Sequence, residues 1–96
     1  MLSGKQKRFL RALASKEKAL FQIGKDGINE NFIDILKGAI KARELVKISI
    51  LKTCELIPNE VAIDLAANTG SEIVQIIGRT IVLFKQSKEK KIELPK

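Results

Sequence analysis

Gly24-Lys25-Asp26-Gly27 stands between an apolar run, Ala19–Ile23, and a segment that opens like a helix at Asn29. Two glycines without Cβ atoms let a backbone approach a ligand closely and make positive φ cheap. The helix N-terminus that follows offers free N–H groups that favour an anion. Lys25 adds a mobile positive charge, and Asp26 opposes it. The chemistry such a loop suits is clamping of a sugar-phosphate strand, the use made of a G-x-x-G loop in other folds. Taken alone, the spacing favours an ordinary turn. A nucleotide P-loop is excluded, because G-x-x-x-x-G-K-[ST] does not occur.

A second set of cations precedes the loop. Ser3 can cap a helix to about Ser15, with Leu2, Phe9, Leu10 and Leu13 on one face and Lys7, Arg8 and Arg11 on the other, close to Lys5 in sequence. Lys7 and Arg11 stand four apart and Arg8 and Arg11 three apart, so they repel one another. An anionic ligand would relieve that repulsion; a merely solvated face is the alternative. Arg79 follows Gly78 between the apolar runs Glu72–Ile77 and Thr80–Phe84. A two-residue Gly-X link is a type II′ hairpin signal and would put Arg79 at an exposed tip, free for a phosphate. Lys47, inside a strand pattern, could reach a ligand or point to solvent. Phe9, Phe21, Phe32 and Phe84 all lie in apolar-periodic surroundings, which favours core packing over base stacking.

Other chemistry is disfavoured. The 96 residues include no His, Trp or Tyr and one cysteine, Cys54. Without histidine the commonest general base and metal ligand is missing, and no carboxylate cluster has metal-binding spacing. No catalytic residue, metal site, cofactor or small-molecule substrate is expected. Cys54 can form neither an internal disulfide nor a cysteine-cluster zinc site, and reads as a small buried thiol. No apolar run approaches the roughly 20 residues that span a bilayer. MLSGKQKRF lacks the apolar core of a secretory signal. A soluble, cytoplasmic monomer with no membrane association is expected.

The net charge of +7 is unevenly spread. Residues 1–25 hold seven basic residues and one acidic, residues 26–71 five and seven, and residues 72–96 six and three. Cations clustered towards both ends of a chain favour a polyanionic partner, since binding releases condensed counterions.

The pattern of apolar runs, caps and turns predicts α-β-α-β-α-β-β in one domain. Asn29 caps a second helix to about Ala42, with Phe32, Ile33, Leu36 and Ile40 on its buried side. Leu45–Leu51 alternates as a strand, and Glu44 belongs to the helix-end or strand-start charge pattern. A third helix starts at Pro58 and stops at Gly70. Residues 1–85 form the domain, and residues 86–96 a charged tail expected to fray, although Ile92-Glu93-Leu94 could add a short pairing stretch.

Four segments in order, LSGKQKRFLRALA, IGKDGIN, ELVKI and IIGRTIVLFK, span nearly the whole chain. In them the sequence resembles the CRM domain (chloroplast RNA splicing and ribosome maturation) in its small stand-alone bacterial form, the YhbY-type family. The resemblance implies an α/β fold with a four-stranded mixed sheet backed by helices, similar to the C-terminal domain of a bacterial translation initiation factor. It also implies RNA binding and association with precursors of the large ribosomal subunit. The family's GXXG loop falls on Gly24, Lys25, Asp26 and Gly27, its basic first helix on the segment holding Lys5, Lys7, Arg8 and Arg11, and its glycine-arginine turn on Gly78 and Arg79. Where the family often closes with Tyr then Arg, this chain has Phe84 and Lys85, which leaves that strand a packing role without the guanidinium fork.

The leading expectation is therefore a non-catalytic RNA-binding protein of ribosome assembly. A DNA-binding module, disfavoured by the lack of a helix-turn-helix pattern, and a basic protein-interaction adaptor are the alternatives.

Overall fold

Ser3 opens helix α1 (Gly4–Ala14). Its hydroxyl accepts from the Gln6 N–H at 3.1 Å while the Gln6 side chain accepts from the Ser3 N–H at 3.0 Å. This reciprocal capping box satisfies two donors that helix geometry leaves unpaired. Asn29 caps α2 (Glu30–Arg43), accepting from the Phe32 N–H at 2.8 Å. Helix α3 (Pro58–Thr69) has no side-chain cap; Pro58 occupies its first turn and Gly70 stops it at φ 68°. Proline fits there because its missing N–H has no intrahelical acceptor, and glycine takes the left-handed conformation without a Cβ penalty. The computed structural model describes residues 2–96.

The strands are β1 (Phe21–Ile23), β2 (Leu45–Ile50), β3 (Glu72–Ile77) and β4 (Thr80–Phe84), in the sheet order β1-β2-β4-β3. β1 and β2 are parallel, joined through α2 as a parallel pair requires. β4 is antiparallel to both β2 and β3. The β3–β4 hairpin turns at Gly78, φ 54°, with no positive φ at Arg79, as the Gly-X pattern predicts. β1 is two residues shorter than expected and β2 ends before Leu51, but the element order stands.

Strand alternation sends side chains to two cores. Val46, Ile48 and Ile50 of β2 and Ile81 and Leu83 of β4 meet Leu36 and Ile40 of α2 and Val61, Ala62 and Leu65 of α3, with the Cys54 thiol buried among them. On the opposite face Val74, Val82 and Phe84 meet Leu2, Leu10 and Ala14. The molecule is thus α1, sheet, then α2 and α3. A register shift between Ile73 and Gln75 lets Val74 and Gln75 together oppose Val82, a bulge that aims Val74 at α1.

Two expectations fail. Phe9 is 36% exposed and outside both cores. One helix lies alone on this side of the sheet, so its buried stripe is narrow, and Phe9 stands about 100° of rotation from Leu10. Phe84 is buried as expected, and Phe21 and Phe32 pack edge to face at 5.7 Å. The C-terminal segment is not frayed. Ile92 and Leu94 pack on the α1 core without forming a strand, and Glu44 anchors the chain around them.

Glu44 ends α2 with φ 67°, a conformation that normally selects glycine. Its fully buried carboxylate accepts N–H groups from Ser87 at 2.8 Å, Lys91 at 3.1 Å and Ile92 at 2.7 Å, and also the Ser87 hydroxyl. Burial by itself would raise the Glu44 pKa, but the Ser87 hydroxyl and the Ile92, Ser87 and Lys91 amides together hold it below the ordinary carboxylate value.

Candidate nucleic-acid interface

The strand directions gather three loops at one end of the sheet. Because β1 and β2 are parallel and β4 runs against them, the Gly24–Gly27 turn, the segment after Ile50 and the Gly78-Arg79 hairpin all emerge together. The Leu51 N–H donates to the Ile23 carbonyl at 2.9 Å, the Ile50 N–H to the Arg79 carbonyl at 2.7 Å, and Arg79 Nη1 to the Leu51 carbonyl at 3.1 Å. The guanidinium is exposed and retains further N–H groups beyond that bond. Arg79 is therefore held at the tip where the Gly-X pattern put it.

Within the GKDG loop the Gly27 N–H closes a turn on the Gly24 carbonyl at 3.0 Å. The two glycines differ. Gly27 has φ +69°, whereas Gly24 has no positive φ, and a Cβ there would meet Leu51 Cδ1 at an ordinary 3.5 Å. The turn needs Gly27; nothing in the fold needs Gly24. Lys25 and Asp26 are exposed, so the bend is open to a ligand.

On α1, Lys5, Arg8 and Arg11 are exposed and Lys7 is half-buried. Among the described residues none of the four makes an ion pair. Lys5 and Lys7 also lie near the helix N-terminus, which has no acidic residue in its first turn. A cation there opposes the helix dipole by about 0.3–1 kcal/mol. Fold stability does not account for that placement.

The buried Leu10–Ala14 stripe divides α1 into two flanks. Gln6 and Leu13 lie on one: Gln6 Nε2 donates to the Pro95 carbonyl at 3.1 Å, and Leu13 packs with Ile92 and Leu94. That flank meets the C-terminal segment, which Glu44 holds at the sheet end near Leu45 and Phe84. Lys7 and Arg11 lie on the other flank and so face the half of the sheet that leads to Gly78-Arg79. Between Lys7 and Arg11 on one side and Arg79 on the other runs a row with one residue from every strand, Gln22, Ser49, Thr80 and Ile77, paired in register and outside the α1 core. The α1 cations and Arg79 flank an uncharged floor, with Lys5 and Arg8 on the outer surface of α1.

The other side of the GKDG loop has the opposite character. A cleft of about 880 Å³ between it and the β2–α3 loop sets Asp26, Glu55 and Asp64 against Lys25 alone. Three carboxylates to one ammonium make that cleft unfavourable to a phosphate chain.

Lys47 does neither of the things left open for it. Its Nζ donates to the Ala14 and Glu17 carbonyls at 3.3 and 3.2 Å, a cation at the C-terminal end of α1. It ties β2 to the helix that carries Lys7 and Arg11.

Residues 2–85 match the family model described as the CRS1 / YhbY (CRM) domain. The chain belongs to the CRM domain family. It is 53% identical over 96 residues to the Bacillus subtilis (strain 168) protein named "Probable RNA-binding protein YqeI", a match covering 99% of this chain and 100% of that one. A Haemophilus influenzae protein named "RNA-binding protein" is 33% identical over 99 residues, covering 99% and 96%. The solution structure of the Staphylococcus aureus protein SAV1595 superposes with a TM-score of 0.83 at 49% identity, covering 99% of this chain and 100% of that one.

In this CRM domain Phe84 is buried beside Val82, so its strand keeps a packing role, while Lys85 is exposed. Sequence reasoning missed the Gln22–Ser49–Thr80–Ile77 row. The period-2 pattern marks these residues as facing away from the larger core, but only strand order and the course of α1 reveal them as uncovered neighbours.

Proposed function

We propose that the protein is a non-catalytic RNA-binding protein that grips structured RNA through Lys7, Arg8 and Arg11 of α1, with Lys5 beside them, and through Gly24–Gly27 and Arg79 at the sheet end. The observation that carries this is the set of unpaired cations on α1, two of them near the positive end of its dipole and two facing the same open half-sheet as the loops. The RNA-binding names of the relatives support it. Few exposed aromatic rings and many cations suit recognition of backbone and shape over single-strand sequence. The family resemblance extends the proposal to ribosomal RNA in precursors of the large subunit.

Two measurements test it. RNA affinity should fall with salt, the log–log slope scaling as about −0.9 per neutralised phosphate for duplex DNA and about −0.7 for single strands. An RNA interaction insensitive to salt contradicts the phosphate grip. In a sucrose gradient of cell extract, the protein should travel at low salt with pre-large-subunit particles and leave them at high salt. Sedimentation only at the top of a low-salt gradient refutes the ribosomal assignment.

A further inference from the structure

The row Gln22, Ser49, Thr80, Ile77 crosses all four strands on the α1 side. At roughly 4.8 Å between strands it spans about 14 Å. Lys7 and Arg11 face it from one side, and at the other stand Arg79, next to Thr80, and the Gly24–Gly27 turn that follows Ile23. No member is charged. Gln22 and Ile77 are exposed, the latter at 60%, and Ser49 and Thr80 are partly open. Among the described residues the Ser49 and Thr80 hydroxyls and the Gln22 amide have no hydrogen-bond partner, and no buried side-chain polar atom is unsatisfied. These groups are accessible and unused by the fold.

A polyanion held by cations on two sides brings its uncharged portion, the sugar, over what lies between. Hydroxyl groups both donate and accept, as does the ribose 2′-hydroxyl, the group that distinguishes RNA from DNA. A lysine or a carboxylate in this row would serve only one of those roles. We propose that the row is the floor of the binding site and that the Ser49 and Thr80 hydroxyls bind ribose 2′-hydroxyls, with Gln22 extending the polar strip and Ile77 packing against the strand at its other end. This rests on the RNA-binding function proposed above, and adds to it a basis for preferring RNA.

The test compares the wild-type protein with Ser49→Ala/Thr80→Val by fluorescence anisotropy, using a structured RNA hairpin and its all-deoxy counterpart. The wild type should prefer the RNA. The double variant should lose affinity for RNA by roughly two- to tenfold per hydroxyl, retain its affinity for the DNA and show an unchanged salt slope. Ser49→Ala alone, the milder change, serves if the double variant does not fold. If the wild type binds RNA but the variant binds it equally well, or loses RNA and DNA together, the floor is wrong and the RNA-binding function stands. If the wild type does not prefer RNA over DNA, the 2′-hydroxyl contact is wrong. If it binds neither, both proposals fall.

Discussion

The carboxylate of Glu44 accepts the Ile92 N–H at 2.7 Å across 48 residues of sequence. With the Ser87 and Lys91 donors, this contact fastens the C-terminal segment against the base of α1, where Ile92 and Leu94 complete the second core. The helix that carries the cations is thus braced from below by the last residues of the chain and at its C-terminal end by Lys47.

Glu44→Gln keeps the shape but turns one acceptor into a donor facing N–H groups. A loss of about 1–3 kcal/mol is expected, and the C-terminal segment should become protease-sensitive. Glu44→Gly should be less damaging than Glu44→Ala by about 1–2 kcal/mol, since glycine takes the positive φ freely. Urea denaturation of the three variants measures this; equal stability of the Gly and Ala variants speaks against strain at this helix end.

The pH dependence follows from the same carboxylate. Its pKa is lower folded than unfolded, so its contribution is complete above the ordinary value of 4.5 and disappears as pH falls through the folded pKa. The stability gap between wild type and Glu44→Gln should therefore be widest near neutrality and shrink below pH 4.5. A gap that does not change with pH assigns the effect to packing.

The two loop glycines should separate folding from binding. Gly27→Ala is expected to cost about 1–2 kcal/mol because of its left-handed φ. Gly24→Ala and the exposed Lys25→Glu should melt like the wild type yet bind RNA less tightly. Unfolding of Lys25→Glu marks the loop as a structural turn; full RNA affinity in Gly24→Ala excludes close backbone approach there.

Lys5→Glu should move stability and binding in opposite directions. An acidic residue in the first turn of α1 is favoured by about 0.3–1 kcal/mol, while RNA affinity drops as a cation is lost. Thermal melts and RNA titrations on the same sample measure both; a variant that is more stable and binds equally well removes Lys5 from the interface.

Much of this molecule is legible locally. The Ser3 and Asn29 caps, Pro58, Gly70 and the Gly78 hairpin act within a few residues of themselves, and each marks its element in the sequence. The Glu44 anchor is not legible, because its donors lie more than 40 residues away and none of their residue types announces the contact. In the sequence Lys47 reads as a strand cation with a free end, because its acceptors are backbone carbonyls, which sequence does not display. A helical wheel puts Phe9 on the buried face because it gives a face without giving the width of the groove that receives it. The loop and helix cations could be nominated from charge; that an uncharged row divides them required the strand order.

The most direct test of the interface is an NMR titration of isotope-labelled protein with RNA. We expect amide shifts to change at Lys7 and Arg11, at Gly24–Gly27, along Gln22, Ser49 and Thr80, and at Arg79, with Glu55 and Asp64 undisturbed. Changes concentrated at Glu55, Leu56 and Asp64, with α1 and the open half-sheet silent, contradict it.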